Sequence, residues 1–403
     1  MMQQADPNRQ NVIFTGSRWD LAVILLRGYA LMIPTIGLNR FWLNTRKRRF
    51  YWGNTEIGGD ALEYSGDARQ LLLGFLMALA VFLPLYGVFF FLSTQSVETI
   101  IVGYGAVAVL IWFLQGYAQY RARDFRLSRT LWRGIRFDQT GSALVYGLRR
   151  FFWWLLNLAT LGLAYPFMAA NLWSYRYRHS WYGDRQFSFA GSWRQLALPY
   201  CLTWLATTII AVTALVIADA AGLIEAPLDA APDAFLQLLP LALAVLILVT
   251  LYRATEMTRM FSAIRLGDAA LTLRLSAFGL LGQYGLFALG LAAAYVVLAM
   301  GGFVILSVVA ADAFASGTFD LEALMASMQS SFASLLAIIT GYLLLFAAFT
   351  FVSELVLGYG FWRLIARGAS ISGLDSLSDI RARAEDKALA GEGLADALNV
   401  GGY

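Results

Sequence analysis

Two short stretches of this 403-residue chain combine guanidinium groups with aromatic rings in nearly the same order. "NTRKRRFYWGN" (44–54) and "SYRYRHSWYGD" (174–184) both hold arginines two residues apart and an aromatic residue directly before a glycine. Guanidinium groups bind phosphate through paired hydrogen bonds, and Trp and Tyr favour the membrane interface. The pattern therefore predicts contacts with anionic lipid head groups, made by Arg46, Arg48, Arg49, Trp52, Arg176, Arg178 and Tyr182.

The alternative for these loops is that they only fix the topology and anchor the chain, as any multi-pass membrane protein requires. Nucleic acid is not an expected partner, although the formal net charge is +4, because the basic residues lie within a few positions of apolar segments. Membrane lipids are the expected partners.

Three other polar residues fall within or at the end of apolar runs: Arg27, Asn157 and Glu354. An ionisable residue inside a membrane is a functional hypothesis, so Arg27 and Glu354 are candidates for a pair on a proton or ion path. The alternative is that Arg27 extends to the interface and that Glu354 lies near it, paired with Arg363 or solvated. Asn157 is expected to form a hydrogen bond between helices.

Metal and catalytic sites are not expected. Cys201 is the only cysteine and His179 the only histidine, which leaves no cluster of soft metal ligands. The sequence contains no HExxH, P-loop, GxSxG or paired-carboxylate pattern. We therefore expect no cofactor and no enzymatic activity.

The composition indicates a membrane protein. Only 14% of the residues are charged, whereas soluble domains carry about a quarter, and the mean hydropathy is +0.62. A helix needs roughly 20 apolar residues to cross the bilayer. The uncharged runs of that length are 70–97, 99–120, 151–175, 195–218, 234–252, 275–311 and 323–353.

The connections between these runs differ in charge. Those at 40–69, 121–150, 176–194 and 253–274, and the segment after Glu354, are rich in arginine, whereas the connections near Glu98, Asp219 to Asp233 and Asp312 to Glu322 contain no Lys or Arg. Because short basic loops stay in the cytoplasm, both termini should be cytoplasmic. The predicted spanning hairpins are 70–97/99–120, 195–218/234–252 and 275–311/323–353.

Two segments, 21–39 and 151–175, do not fit this alternation because basic connections lie beside them. Pro34 and Gly37 in the first, and Gly162 and Pro166 in the second, interrupt a helix. We interpret both as re-entrant or interfacial. An ordinary crossing that violates the charge rule is the alternative.

An internal repeat is indicated by motifs that recur at an offset of 125 residues, as in Thr35–Leu38 and Thr160–Leu163. The predicted fold is an all-α polytopic membrane protein with about six spanning helices in three hairpins, two or more re-entrant segments, and small β-elements at 55–66 and 185–191 on the cytoplasmic face. The predicted divisions are a tail (1–12), repeat unit 1 (13–120), repeat unit 2 (121–252), a degenerate third unit (253–368) and a cytoplasmic tail (369–403).

Three segments together resemble a known family: "RLSRTLWRGIRFDQTGSALVYGLRR" (126–150), "TLGLAYP" (160–166) and "RKRRFYWGNTEIGGDALEYSG" (46–66). They are similar to the bacterial inner-membrane family typified by YjgN, which is built around a domain of unknown function. The resemblance implies a polytopic protein of the bacterial cytoplasmic membrane. It implies no reaction, substrate or catalytic residue.

Two functions remain open. The first is a structural or interaction protein of the cell envelope that contacts anionic lipids through its arginine loops. The second is a transporter or channel for a small solute, which would require a cavity at mid-membrane depth lined by Gln115, Asn157, Thr160 and Glu354.

Overall fold

The computed structural model of the chain describes residues 9–224, 232–309 and 332–383. The acidic connections at 225–231 and 310–331, the N-terminal residues 1–8 and most of the predicted tail, 384–403, lie outside the described residues. Within the described ranges, the strands are β1 (Arg9–Phe14), β2 (Thr55–Ile57), β3 (Asp60–Tyr64), β4 (Thr130–Trp132), β5 (Ile135–Gln139), β6 (Ser180–Tyr182), β7 (Arg185–Phe189), β8 (Ile264–Leu266), β9 (Ala269–Leu273) and β10 (Ala369–Ser372).

These ten described strands form one closed antiparallel barrel in which consecutive strands pair and β10 closes the barrel on β1. β1 pairs with β2 through Ile13 and Glu56, and its other edge pairs with β10, where Gln10 lies opposite Ile371. The prediction of an all-α fold with only small β-elements is therefore wrong. The hairpin at 55–66 and the strand at 185–191 were correctly predicted, but they are parts of a single continuous sheet.

Helices fill the longer connections of the barrel. They are α1 (Arg18–Ala30), α2 (Arg40–Gly53), α3 (Ala68–Ser93), α4 (Val97–Ser128), α5 (Ala143–Ala159), α6 (Tyr165–Arg178), α7 (Trp193–Ala220), α8 (Pro232–Phe261), α9 (Ala277–Val309), α10 (Phe332–Val352) and α11 (Tyr359–Gly368), with a π-helical turn, Ser353–Gly358, between the last two.

The connections alternate between helical pairs and two-residue turns, such as Gly58-Gly59 between β2 and β3. Because the strands are antiparallel, every helical pair leaves from the same end of the barrel, the helical end, and every tight turn lies at the opposite end, the turn end. Along the described chain, the order β1-α1-α2-β2-β3-α3-α4-β4 is followed by the same order in β5-α5-α6-β6-β7-α7-α8-β8.

Six of the described helical segments are long and apolar enough to cross a membrane: α3, α4, α7, α8, α9, and α10 continued through the π-helical turn into α11. By length and composition the chain is thus a multi-pass membrane protein. The most apolar stretch of each of these helices is almost unburied within the protein, and the stretches in α4, α7 and α9 contain no buried residue. Apolar side chains exposed on all faces require a surrounding that is itself apolar.

The pairs α1/α2 and α5/α6 are shorter and share one tip geometry. In the first, Gly37 adopts φ +81° and its N–H donates to the carbonyl of Met32 at 2.8 Å; in the second, Gly162 adopts φ +94° and its N–H donates to Asn157 at 2.7 Å. Thr35 and Thr160 each donate their hydroxyl to the carbonyl four residues earlier and accept from the N–H four residues later. Many of the backbone hydrogen-bonding groups at the two tips are therefore satisfied within the tips themselves.

The barrel interior is a hydrophobic core and not a pore. Trp132, Tyr182 and Leu266 pack there, and the Tyr182 hydroxyl donates to the carbonyl of Trp132 at 2.9 Å. Residues 373–381, here called the plug, follow β10 across the turn end of the barrel. Their apolar side chains, Leu374, Leu377 and Ile380, complete the core.

Polar contacts hold the plug in place. Arg185 forms an ion pair with Asp379 at 3.2 Å and donates to the carbonyl of Ser376 at 3.0 Å. The backbone N–H of Asp184 donates to the carbonyl of Arg381. The barrel is thereby closed at its turn end, while its helical end faces the membrane helices.

Candidate functional site

A cavity of about 1180 Å³, here called the chamber, lies at the helical end of the barrel. Its floor includes the first residues of several strands, Thr55, Thr130 and Ala369. Its walls are the ends of the helices that return to the barrel: α2, α4, α6, α8 and the segment from the π-helical turn through α11. Each of the five described helical connections contributes one wall.

The spacing of residues on the returning helices explains which side chains face the chamber. On α2, Lys47, Arg48, Tyr51 and Trp52 line it, three to eight residues before β2 begins at Thr55. The same separations from the next strand select Arg123, Arg126 and Leu127 on α4, and Trp173, Arg176 and Tyr177 on α6. Residues three, four and seven apart share one face of a helix. The segments that the sequence presents as basic loops are therefore helical, and only one face of each points inward.

The chamber carries an excess of positive charge. Among the described residues, its lining includes six basic side chains, Lys47, Arg48, Arg123, Arg126, Arg176 and Arg253, and two acidic side chains, Glu256 and Glu354. The formal excess is four positive charges. Like charges confined in a partly enclosed space repel each other strongly because solvent screens them poorly. The lining is therefore suited to an anion.

Arg123 and Arg176 form the most basic part of the wall, between α4 and α6. Arg123 donates to Ser180 at 2.9 Å and to the side chain of Gln139, and its guanidinium carbon lies 4.9 Å from the centre of the Tyr177 ring. Arg176 donates through Nε to the carbonyl of Leu172 at 3.4 Å and lies 4.9 Å from the Trp173 ring centre. In the part of the chain that the structure describes, neither guanidinium is paired with a carboxylate.

The two acidic side chains of the chamber are each engaged. Glu354 forms an ion pair with Lys47, with Nζ and Oε1 at 2.6 Å. Glu256 accepts from the Tyr165 hydroxyl at 3.1 Å and lies 3.5 Å from Arg253. Burial, together with the nearby charge of Glu354, raises the pKa of Tyr51 well above its usual range, so this hydroxyl remains a neutral donor at the chamber wall.

Indole rings hold the returning helices on the barrel floor. The Trp52 indole donates to the Thr130 hydroxyl at 2.9 Å, and the Trp362 indole donates to Thr55 at 2.9 Å. The two rings lie 5.1 Å apart between centres. These bonds link the first and last walls of the chamber to the strands.

The residues that the sequence predicts to contact head groups do not all line the chamber. Arg48, Trp52 and Arg176 line the chamber. Arg46, Arg49 and Arg178 are exposed outside it. Tyr182 is 1% exposed and faces the core of the barrel, where burial raises its pKa to about 12.

The three polar residues predicted within apolar runs lie apart from each other. Arg27 is exposed at the end of α1. Asn157 is buried between α5 and α6, where its Nδ2 lies 3.2 Å from the sulfur of Met168. Glu354 lines the chamber and is paired with Lys47, and not with Arg27 or Arg363.

Sequence reasoning missed several chamber residues: Lys47, Arg123, Arg126, Arg253 and Glu256. The signal that would have found Lys47, Arg123 and Arg126 is their separation from the next strand, since basic and aromatic residues recur three to four positions apart on α2, α4 and α6. Among the described residues, no three His, Cys, Asp or Glu side chains gather into a group that could hold a metal ion.

Comparison with known proteins gives one match. The family described as "Bacterial protein of unknown function (DUF898)" matches residues 9–285, more than two thirds of the chain. This is the family typified by YjgN, so the resemblance seen in the sequence is confirmed. No curated protein and no solved structure matches the chain.

Proposed function

The chain belongs to the DUF898 family of bacterial proteins of unknown function, and we propose that it is an integral inner-membrane protein whose chamber binds anionic lipid head groups. The observation that carries the proposal is the excess of four positive charges in a cavity at the base of the membrane helices. The proposal assigns the protein a role in interaction and no reaction. It names lipid as the partner and excludes nucleic acid.

The proposed orientation puts the barrel in the cytoplasm. Arginine is abundant in the barrel and in the helix ends beside it, and short basic segments stay on the cytoplasmic side. β1 and β10 both belong to the barrel, so both termini are assigned to the same side. The chamber then lies at the level of the inner leaflet, where anionic head groups are found.

The short helical pairs are proposed to re-enter the membrane without crossing it. At 13 and 17 residues, α1 and α5 extend about 20 and 25 Å, less than the roughly 30 Å of the hydrocarbon layer. Their tips expose apolar side chains, with Ile36 93% and Leu161 79% exposed. Internal satisfaction of the tip backbone supports this location, since lipid offers no hydrogen bonds. The recurring order of strands and helices supports the proposed internal repeat.

Lipid is favoured over a small solute by the surroundings of the chamber. The long helices above it are apolar on all faces and contribute few buried residues, so acyl chains can lie between them. The alternative, a transporter or channel, has less support. Of the polar groups expected to line a mid-membrane cavity, Glu354 faces the chamber, but Gln115, Asn157 and Thr160 do not.

Native mass spectrometry tests the proposal. The purified protein is incorporated into phosphatidylcholine nanodiscs that contain a small fraction of phosphatidylglycerol or phosphatidate, and the lipids that remain bound after release are counted. We expect anionic lipid to be retained in preference to phosphatidylcholine, and this preference to weaken as the salt concentration rises. Equal retention of all three lipids would refute the proposal.

A further inference from the structure

We propose that three arginines on α4, α5 and α6 form an extended site for a lipid diphosphate, a head group in which a second phosphate is bonded to the first. The arginines are Arg123, Arg150 and Arg176, here called the arginine row. The inference rests on the proposed function and deepens it, since it names the class of head group that the chamber accepts.

Arg150 extends the basic wall of the chamber away from the barrel. It lies on α5 one turn beyond Tyr146, which lines the chamber, and its Nη2 donates to the Gln115 side chain on α4 at 3.2 Å. Gln115 in turn lies one turn beyond Gln119, another lining residue. Because residues four apart share a face of a helix, Arg150 and Gln115 continue the lined faces of α5 and α4 towards the membrane.

Close packing of α4 and α5 fixes the position of Arg150. A Cβ atom at Gly116 on α4 would lie 3.1 Å from the Cα of Gly147 on α5 and 3.3 Å from the Cδ of Arg150. Within this contact, Nη1 of Arg150 is buried and has no hydrogen-bond partner among the described residues. A buried donor without a partner is unfavourable, and most so when it is charged. The site therefore gains from an acceptor that enters from the chamber.

The arginine row is not neutralised by acidic side chains. In the ranges that the structure describes, none of Arg123, Arg150 and Arg176 is paired with a carboxylate. Arg176 lies close enough to the other two for its charge to oppose theirs. The two carboxylates that line the chamber are each paired with another cation. An anion at this wall thus meets a positive field, and each further negative charge that it carries adds attraction.

The three arginines lie at different distances from the barrel. Arg123 donates to Ser180, the first residue of β6, and so lies at the barrel floor. Arg150 instead contacts Gln115, which precedes Arg123 by eight residues on α4, about 12 Å along the helix axis. Arg176 donates through Nε to a backbone carbonyl one turn nearer the membrane, which directs its guanidinium away from the floor. The row therefore extends from the floor of the chamber towards the membrane.

This arrangement fits two phosphates in series. A single phosphate holds its oxygens around one atom and contacts only part of the row. Cardiolipin has two phosphates, but each is bonded to its own diacylglycerol, so both lie at the same depth. In a lipid diphosphate the terminal phosphate lies beyond the first, away from the acyl chains. The first phosphate then accepts charge-assisted hydrogen bonds from Arg150 and Arg176, and the terminal phosphate accepts them from Arg176 and Arg123.

A comparison of two lipids separates the arrangement of the phosphates from their charge. Diacylglycerol diphosphate and cardiolipin are each titrated into phosphatidylcholine nanodiscs that contain the wild-type protein, and bound lipids are counted by native mass spectrometry. The titrations are made at pH 7 and at pH 5. At pH 5, below the second phosphate pKa of about 6, the diphosphate carries about two negative charges, as many as cardiolipin.

We expect diacylglycerol diphosphate to bind about tenfold more tightly than cardiolipin at both pH values. Equal or weaker binding of the diphosphate at pH 5, with both lipids still retained in preference to phosphatidylcholine, would overturn the inference and leave the proposed function intact. A preference that exists only at pH 7 falls under the same outcome, because net charge alone would explain it. No preference of either lipid over phosphatidylcholine would overturn both proposals.

Arg150→Gln tests the end of the row nearest the membrane, and Arg149→Gln is its matched control. Both variants remove one positive charge from α5, but Arg149 is exposed. We expect Arg150→Gln to bind diacylglycerol diphosphate about tenfold more weakly than wild type, and Arg149→Gln less than about twofold more weakly. Equal losses, or no loss in Arg150→Gln, would overturn the inference. If Arg150→Gln does not fold, the comparison of the two lipids in wild type still decides the matter.

Inorganic diphosphate has the same chemistry without acyl chains. It is added in molar excess to the wild-type nanodiscs that hold diacylglycerol diphosphate. Retention of the lipid supports a lipid ligand, because acyl chains then contribute to binding. Displacement of the lipid would overturn the assignment to a lipid.

Discussion

Neutralising Arg176 should weaken the binding of anionic lipid by an amount that the size of the chamber sets. A sphere with the chamber volume of about 1180 Å³ has a radius of about 6.5 Å, the typical distance between a central anion and the wall. At that distance one unit charge contributes roughly 0.6 kcal/mol in water and about 2.5 kcal/mol at an effective dielectric constant of about 20. Arg176→Gln is therefore expected to reduce the affinity for phosphatidylglycerol about three- to seventyfold.

The matched control is two residues away. Arg178→Gln removes the same charge from the same helix, but Arg178 is exposed and does not line the chamber, so we expect a change of less than about twofold. Affinity is measured by titrating phosphatidylglycerol into nanodiscs and counting bound lipids, at low and at physiological salt. Equal losses for the two variants would refute the reasoning, because the effect would then arise from the net charge of the surface and not from the chamber.

Three other predictions concern the barrel. Tyr182→Phe should lower the free energy of unfolding by about 1–2 kcal/mol through loss of a buried hydrogen bond. Because burial raises the Tyr182 pKa to about 12, wild type should also lose stability as the pH rises from about 10 to about 12, and the variant should lose less. Identical curves of stability against pH for the two proteins would contradict this. Gly183→Ala should destabilise the protein more than Gly134→Ala, measured by thermal unfolding, because both glycines have positive φ but only at Gly183 would a methyl group overlap the plug; equal effects would argue against the contact. In a Cys201→Ala background, Ser188→Cys on the outer face of β7 should react with an impermeant maleimide only after the cytoplasmic side is opened, and labelling of intact spheroplasts would reverse the proposed orientation.

The membrane helices could be predicted from the sequence because each of them is a continuous signal. Twenty consecutive apolar residues are enough to predict a helix that lies in an apolar environment. The predicted hairpins that begin at residues 70, 195 and 275 coincide with α3/α4, α7/α8 and α9/α10. The barrel gives no such signal. Its strands have three to six residues, and up to 95 residues lie between consecutive strands, so each looks like an isolated β-element. The pairing of strands that are distant in the sequence cannot be predicted from local sequence patterns.

The chamber was predictable in chemistry but not in shape. Arginines beside aromatic residues predicted contacts with anionic head groups, which stays a prediction, and the structure puts Arg48, Trp52 and Arg176 in the lining of one cavity. Once these segments were interpreted as loops, however, no face could be assigned to them. Arg178 and Tyr182 then looked equivalent to Arg176, although one faces outward and the other lies inside the barrel. Helical phase, which depends on where the helix ends, separates these three residues.

The join between β1 and β10 also has a consequence for biogenesis. Arg9 bonds to Ser370 across a separation of 361 residues, so the first strand emerges from the ribosome long before its last partner exists. Every membrane helix must be inserted during that interval, and the exposed edge of the nascent sheet has to be kept from pairing with other chains. The barrel can therefore close only once β10 has been synthesised. β1 and β10 are neighbours in the finished barrel, which makes a circularly permuted form that joins them a direct way to change that order.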